Sequence, residues 1–247
     1  MLERNVVDGV HRLEHAAVNI YLIEDDTGVT VVDTGLPASF RHMESALADL
    51  GRSTRDVRAV IITHSHFDHV GSALRARRQW RVPVWIHAKD QFVAAHPSQY
   101  QHECSRLRYP LRYPKSLPQL AQMTAAGALF VRGISDTSAF ESDAVLDVPG
   151  RPRVVFSPGH TPGHCAFHLP DRNAVLTGDA LVTLNPYTGG TRPQIISGAA
   201  TADSKGALAS LSALADTGAQ TMLPGHGKPW RNGIAAAAEE ALSIGPS

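Results

Sequence analysis

Short apolar, β-rich runs separated by turn residues fill the first third of the chain. Residues 19–23 and 29–32 flank Asp25, Asp26, Thr27 and Gly28, a pattern that predicts a hairpin. From Ser39 to Leu50 the apolar positions Phe40, Met43, Leu47 and Leu50 recur at helical spacing, and Gly51 ends the run. Residues 57–62 read as another strand. It runs directly into Thr63, His64, Ser65, His66, Phe67, Asp68 and His69, which places a dense histidine cluster in a loop at a strand's C-terminal end.

A further strand is expected over residues 82–86, and from Lys89 the pattern turns helical and then irregular. Residues 97–138 differ in composition. Pro97, Pro110, Pro114 and Pro118 interrupt any long helix, and Tyr100, Tyr109 and Tyr113 are interleaved with Arg106, Arg108, Arg112 and Lys115. This segment reads as a lid or insertion, or equally as a dimer contact, within one domain spanning residues 1–247. The basic and aromatic stretch has two readings: a pocket wall for an acidic or aromatic substrate, or a solvated face. Strands return at 145–148, 153–156, 165–169 and 174–176. A helix over 201–215, a strand at 221–223 and an alanine-rich helix over 234–242 close the chain.

Composition narrows the function classes. With 23 basic and 23 acidic residues the formal charge is zero, so no field favours a polyanionic partner, and nucleic acid is not expected. Glu3, Arg4 and Asp8 stand where an export signal needs an apolar run, and nowhere do eighteen apolar residues follow one another. The expectation is a soluble, cytoplasmic protein with no membrane contact. Cys104 and Cys165 have no CxxC spacing and read as free thiols.

Thirteen histidines are many for this length, and three of them fall within six residues. His64-x-His66-x-Asp68-His69 puts four strong metal ligands where one tight loop can aim them at a small volume. Three more candidates follow apolar strands farther on, each beside glycine: His160 after Gly159, Asp179 after Gly178, and His226 between Gly225 and Gly227. Glycine permits the sharp turn and close backbone approach such a site needs. Imidazole and carboxylate together suit two Zn²⁺, and also iron or manganese.

These motifs resemble the metallo-β-lactamase superfamily, and within it the glyoxalase II-like and lactonase-like branch, from about Asn19 to Trp230 with residues 97–138 outside the likeness. The resemblance implies an α+β four-layer αβ/βα sandwich with metals at one edge where strand-end loops converge. It implies that His64, His66 and His160 hold one zinc, that Asp68, His69 and His226 hold the other, and that Asp179 bridges both. Asp33 matches a family aspartate that orients a ligand histidine, although a turn-forming aspartate at a strand end reads equally well. His164 fits the family as a neighbour rather than a ligand. His11, His15, His87 and His168 lack comparable context and read as ordinary histidines.

The implied reaction is hydrolysis of a carboxylic ester, thioester or lactone of a small molecule by a metal-bridging hydroxide, with Asp68 moving a proton to the leaving group. A phosphodiesterase using the same metal pair is the alternative. A mononuclear iron dioxygenase is disfavoured by the intact second set, and a β-lactamase by the presence of Asp179. Flavin-linked members typically carry glutamate where His66 stands. Acyl-homoserine lactonases place tyrosine three residues after the bridging aspartate, where this chain has Val182. Tyr187 is either a replacement oxyanion donor or a tyrosine in a turn. The basic residues with which glyoxalase II enzymes hold glutathione are not recognisable near the C-terminal end.

Overall fold

The computed structural model describes residues 1–106 and 109–247, so Arg108 lies outside the described residues. Eleven strands form among them: β1 (Leu2–Val7), β2 (Val10–His15), β3 (Val18–Asp25), β4 (Gly28–Val32), β5 (Val57–Ile61), β6 (Val84–His87), β7 (Ser138–Phe140), β8 (Arg153–Phe156), β9 (Cys165–Leu169), β10 (Ala174–Gly178) and β11 (Thr221–Pro224). The first seven make one sheet in sequence order. The last four make a second sheet, ordered β11-β10-β9-β8. β1 to β4 pair antiparallel and β4 to β7 parallel, so the larger sheet is mixed. The smaller sheet is mixed too, because β10 pairs parallel with β11 and antiparallel with β9.

The expected hairpin is β3 and β4, closed where Asp25 Oδ1 accepts from the backbone N–H and hydroxyl of Thr27. Its residues are buried on both faces, and the alternation shows why. Ile20 and Leu22 point into a core with Phe40, Met43 and Leu47 of helix α1 (Ser39–Asp49). Tyr21 and Ile23 point the other way, into a core shared with Phe167 and Leu169 of β9 and Leu176 of β10. The helices α2 (Phe67–Val70), α3 (Ala73–Gln79), α4 (Gln91–Ala95), α5 (Tyr109–Arg112) and α6 (Leu117–Ala125) follow. On the far side, α7 (Ser204–Ala215) and α8 (Ile234–Ile244) cover the smaller sheet through Leu211, Leu214, Ala237 and Ala241. Helix, sheet, sheet and helix thus stack around three apolar interfaces, the expected four-layer α+β sandwich.

Several elements differ from the sequence expectation. Residues 145–148 make only an isolated bridge, Val145 to Arg153, because the return through Pro149 and Pro152 lacks the N–H donors a ladder needs. β6 starts after Pro83 for the same reason. The charged strands β1 and β2 and the short β7 carry no apolar run, and their pairing is set by neighbours; Arg12, for example, pairs with Glu3 and Glu14. Within residues 97–138 the prolines break the chain into the short helices α5 and α6, as anticipated. Both cysteines are free. No helix among the described residues is long and apolar enough to cross a membrane.

Candidate metal centre

The loop after β5 carries the first four candidates, and its backbone changes character inside the motif. His64 and His66 both come from the stretch between β5 and the first turn of helix. His66, with ψ at 154°, then serves as N-cap of α2, whose single turn offers Asp68 and His69 from the helical side. The smaller sheet contributes one residue after each of three strands: His160 after β8, Asp179 after β10 and His226 after β11. All seven are buried.

They converge on Asp179. Its Oδ2 lies 3.1 Å from His226 Nε2, 3.5 Å from His160 Nε2 and 3.8 Å from His64 Nε2, while its Oδ1 lies 3.5 Å from His69 Nε2. Asp68 Oδ2 lies 3.4 Å from His226 Nε2 and 3.8 Å from His69 Nε2. Three groups of donor atoms fall within 4.8 Å of one another: His64, His66 and His160; His64, His69 and Asp179; Asp68, His69 and His226. Such clusters are compatible with a dinuclear metal site.

The outer nitrogens explain how these imidazoles are aimed. Thr63 Oγ1 donates to Asp33 Oδ2 at 2.8 Å, which leaves it to accept from His64 Nδ1 at 3.0 Å. His69 Nδ1 donates to the same Asp33 oxygen at 2.8 Å. His226 Nδ1 donates to Ala17 O at 2.6 Å. Thr201 Oγ1 gives its proton to Ile196 O and accepts from His160 Nδ1 at 3.2 Å. In each ring Nδ1 therefore carries a proton and Nε2 is turned inward, where it offers a lone pair whenever the ring is neutral. His66 is braced instead by the Tyr100 ring, 4.1 Å away between centroids.

Asp33 makes two structural contributions. It turns the chain at φ +60° after β4, and its carboxylate ties His69 to the Thr63 backbone N–H and hydroxyl. His164 is a neighbour: its Nε2 accepts from the backbone N–H groups of Asp179 and Ala180, and its Nδ1 donates to Ser157 Oγ. It thus holds the turn that carries Asp179. Gly225 is required by close approach, since a Cβ there would collide with Asp179 Oδ1. His11, His15, His87 and His168 lie outside all of these donor groups.

Burial sets the charge of the site. It drives His64 and His160 well below the ordinary imidazole pKa, with neighbouring histidines adding to the effect, and takes His66 and His164 to about 3. At His69 and His226 burial acts the same way but is outweighed by carboxylates: Asp179, Asp33 and Asp68 raise His69 well above its usual range, and Asp179 and Asp68 take His226 to about 10. Asp179 is held well below the carboxylate range despite burial, by His226 and His69. The carboxylate-rich half attracts positive charge, and the imidazole half refuses protons.

Two supports carry no sequence signal. Asp90, fully buried just after β6, accepts from Ser65 N at 2.9 Å, Thr161 Oγ1 at 2.8 Å and Gly163 N at 2.7 Å. It joins the loop of His64 and His66 to the loop of His160. Asn19, also fully buried, donates to Pro224 O and Gly227 O, both at 2.8 Å, and so anchors the loop of His226.

Tyr187 is not among the donor groups. Its backbone N–H donates to Asn185 Oδ1, which places it in a turn, and its side chain lines an adjoining cavity with Phe67, Tyr100 and Arg106. Burial, with Tyr100 and Asp68 nearby, raises its pKa well above the phenol range. The basic stretch divides: Arg106 faces this cavity, whereas Arg112 and Lys115 are exposed.

Comparison with known proteins places this geometry. The sequence profile of the metallo-beta-lactamase superfamily matches residues 14–226. The chain belongs to that superfamily. By this membership it is a metal-dependent hydrolase. One superfamily relative, the probable metallo-hydrolase YflN of Bacillus subtilis (strain 168), is 27% identical over 90% of this chain and 84% of its own length. The crystal structure of the metallo-beta-lactamase family protein TTHA1429 from Thermus thermophilus superposes with a TM-score of 0.71 and 26% identity, covering 97% of this chain and 80% of that one. The protein TTHA1623, solved in a di-iron-bound form, shares the superfamily fold at a TM-score of 0.64 and 24% identity over 91% of this chain and 95% of its own.

Proposed function

We propose that this chain is a dinuclear zinc hydrolase that cleaves a carboxylic ester, thioester or lactone of a small molecule. One observation carries the reading: the Nε2 atoms of His64, His66, His69 and His160 and Oδ1 of Asp179 are all buried without a hydrogen-bond partner, and they face one small volume. Orphaned polar atoms cost roughly 1–3 kcal/mol each, and a cluster of five is sustained only if something coordinates them. Imidazole and carboxylate donors fit zinc. Iron and manganese are the alternatives, and TTHA1623 in its di-iron-bound form keeps iron in view.

In this reading His64, His66 and His160 would hold one cation and Asp68, His69 and His226 the other, with Asp179 lying against both sets of donors. When bound, the cations would supply Lewis acidity at an acyl carbonyl and lower the pKa of a water towards neutrality. The remaining work belongs to the protein. Asp33, Thr63, Thr201 and the Ala17 carbonyl fix the ring orientations. Asp68 accepts a proton and passes it to the departing group. Tyr187, kept protonated by burial, is the neutral donor available to the carbonyl oxygen. Residues 97–138 act as a lid, laying Tyr100 against His66 and keeping water from that side.

The cavity beside the site, walled mainly by aromatic and aliphatic side chains, suits the carbon chain of an acyl substrate. Zinc-loaded protein assayed on an aryl ester, a thioester, a γ-lactone and an aryl phosphodiester is expected to turn over at least one of the first three. Turnover of the phosphodiester alone would replace this reading with the phosphodiesterase one.

A further inference from the structure

The cavity next to the donor cluster has a volume of about 390 Å³ and is walled by Phe67, Tyr100, Val131, Leu129 and Tyr187, with Arg106 as its one charged lining residue. Two walls belong to the metal centre's surroundings. Phe67 sits between His66 and Asp68 in the chain, and Tyr100 packs on His66. Arg106 is held rather than loose: its guanidinium lies 4.5 Å above the Tyr100 ring, and its Nη1 donates to the Tyr100 hydroxyl at 3.1 Å. Among the described residues that is its only side-chain hydrogen bond, and it makes no ion pair. A guanidinium carries five N–H donors in a planar fork that matches a carboxylate. Most of that fork is left over.

We propose that this cavity is a substrate subsite in which Arg106 selects acyl compounds carrying a free carboxylate at the end remote from the scissile bond. This rests on the hydrolase reading above and names its substrate class. The apolar walls suit an alkyl or aryl spacer, and the stacked guanidinium suits the terminal anion. One cation among neutral walls balances one negative charge. A doubly charged phosphate would be left half-compensated in apolar surroundings, which is unfavourable. Holding the remote carboxylate positions the acyl carbonyl at the donor cluster, so the benefit falls on kcat/KM.

The test compares two 4-nitrophenyl esters of equal acyl length, the hexanoate and the mono-ester of adipic acid, on zinc-loaded protein. The adipate ester is expected to have a kcat/KM at least about tenfold higher, the scale of one charge-assisted contact. Arg106→Gln should lower the adipate ester's kcat/KM by about 10- to 100-fold and the hexanoate's by less than about threefold, while Arg106→Lys recovers part of the loss. Binding of monomethyl adipate to the metal-free chain, followed by calorimetry, supplies a readout independent of turnover and should weaken in Arg106→Gln by the same factor. Equal kcat/KM for the two esters, or an equal loss of both in Arg106→Gln with circular dichroism unchanged, would overturn the subsite. If neither ester is hydrolysed but monomethyl adipate still binds through Arg106, the reaction assigned to the centre fails and the carboxylate subsite stands.

Discussion

The two sheets furnish the centre in different ways. The seven-stranded half delivers His64, His66, Asp68 and His69 from one loop of six residues after β5, whereas the four-stranded half delivers His160, Asp179 and His226 one at a time, after β8, β10 and β11. A local loop brings its donors together through its own short backbone, with Asp33 and Thr63 turning two of its rings. The distributed set is placed by sheet register, and each member needs its own anchor: Thr201 for His160, His164 for the Asp179 turn, Ala17 O and Asn19 for the His226 loop. The lesson is that the distributed half depends on contacts from far along the chain.

The comparison breaks most visibly at its meeting point. Asp179→Ala removes the carboxylate that lies within 3.8 Å of four imidazole nitrogens, and kcat/KM on any productive ester should fall at least about a thousandfold, roughly 4 kcal/mol of transition-state stabilisation. Steady-state kinetics with parallel metal analysis checks this; retention of activity within tenfold would separate Asp179 from the chemistry.

Asp90→Ala probes the seam between the halves. Loss of three buried hydrogen bonds to one carboxylate should cost about 3 kcal/mol, lowering the Tm by roughly 6–12 °C, with Asp90→Asn recovering part of it. An unchanged Tm in calorimetry would show that the two loops hold their places without it.

Asp33→Ala acts on the local half alone. It leaves His69 without its partner and the Thr63 hydroxyl that braces His64 without its acceptor, so the equivalent held by His69 should weaken by about 10- to 100-fold and the other by less, seen as a split in a chelator titration. Unchanged affinity of both equivalents would contradict the role of Asp33 in holding His69.

The last effect is on stability of the metal-free protein. His66 and His164 titrate at about 3 when folded against 6.5 when unfolded, so between those values the unfolded chain binds more protons and stability falls as pH drops below about 6.5. His226, raised to about 10, binds more protons when folded, so its contribution is full below 6.5 and is lost as pH rises towards 10. The Tm should therefore fall on both sides of a maximum near pH 6.5, and a flat profile from pH 5 to 9 would contradict these environments.

The difference between the halves also governs what could be read from the chain. The local motif is legible because four donors crowd six residues. The distributed donors are legible because each is a histidine or aspartate beside a glycine at a strand's end. Strands with apolar alternation, such as β3, β4, β5 and β9, are legible for the same reason of burial on one or both faces. Asp90 and Asn19 are not: their partners stand as far as 73 and 208 residues away, and nothing in their local sequence distinguishes them from turn residues. β1 and β2 escape for a related reason, since their charged side chains pair across the sheet instead of marking a core-facing stripe. Residues 97–138 show the limit most plainly. Of their basic residues, Arg106 faces the cavity while Arg112 and Lys115 face solvent, a separation that depends on where the prolines turn the chain.

The central claim is that two cations share the donors of both halves, and metal content read together with turnover tests it most directly. Plasma mass spectrometry of the purified protein, paired with hydrolysis of an ester, a thioester and a γ-lactone, should give about two zincs per chain and turnover of at least one substrate. A single iron per chain with no hydrolysis of any of the three would contradict it.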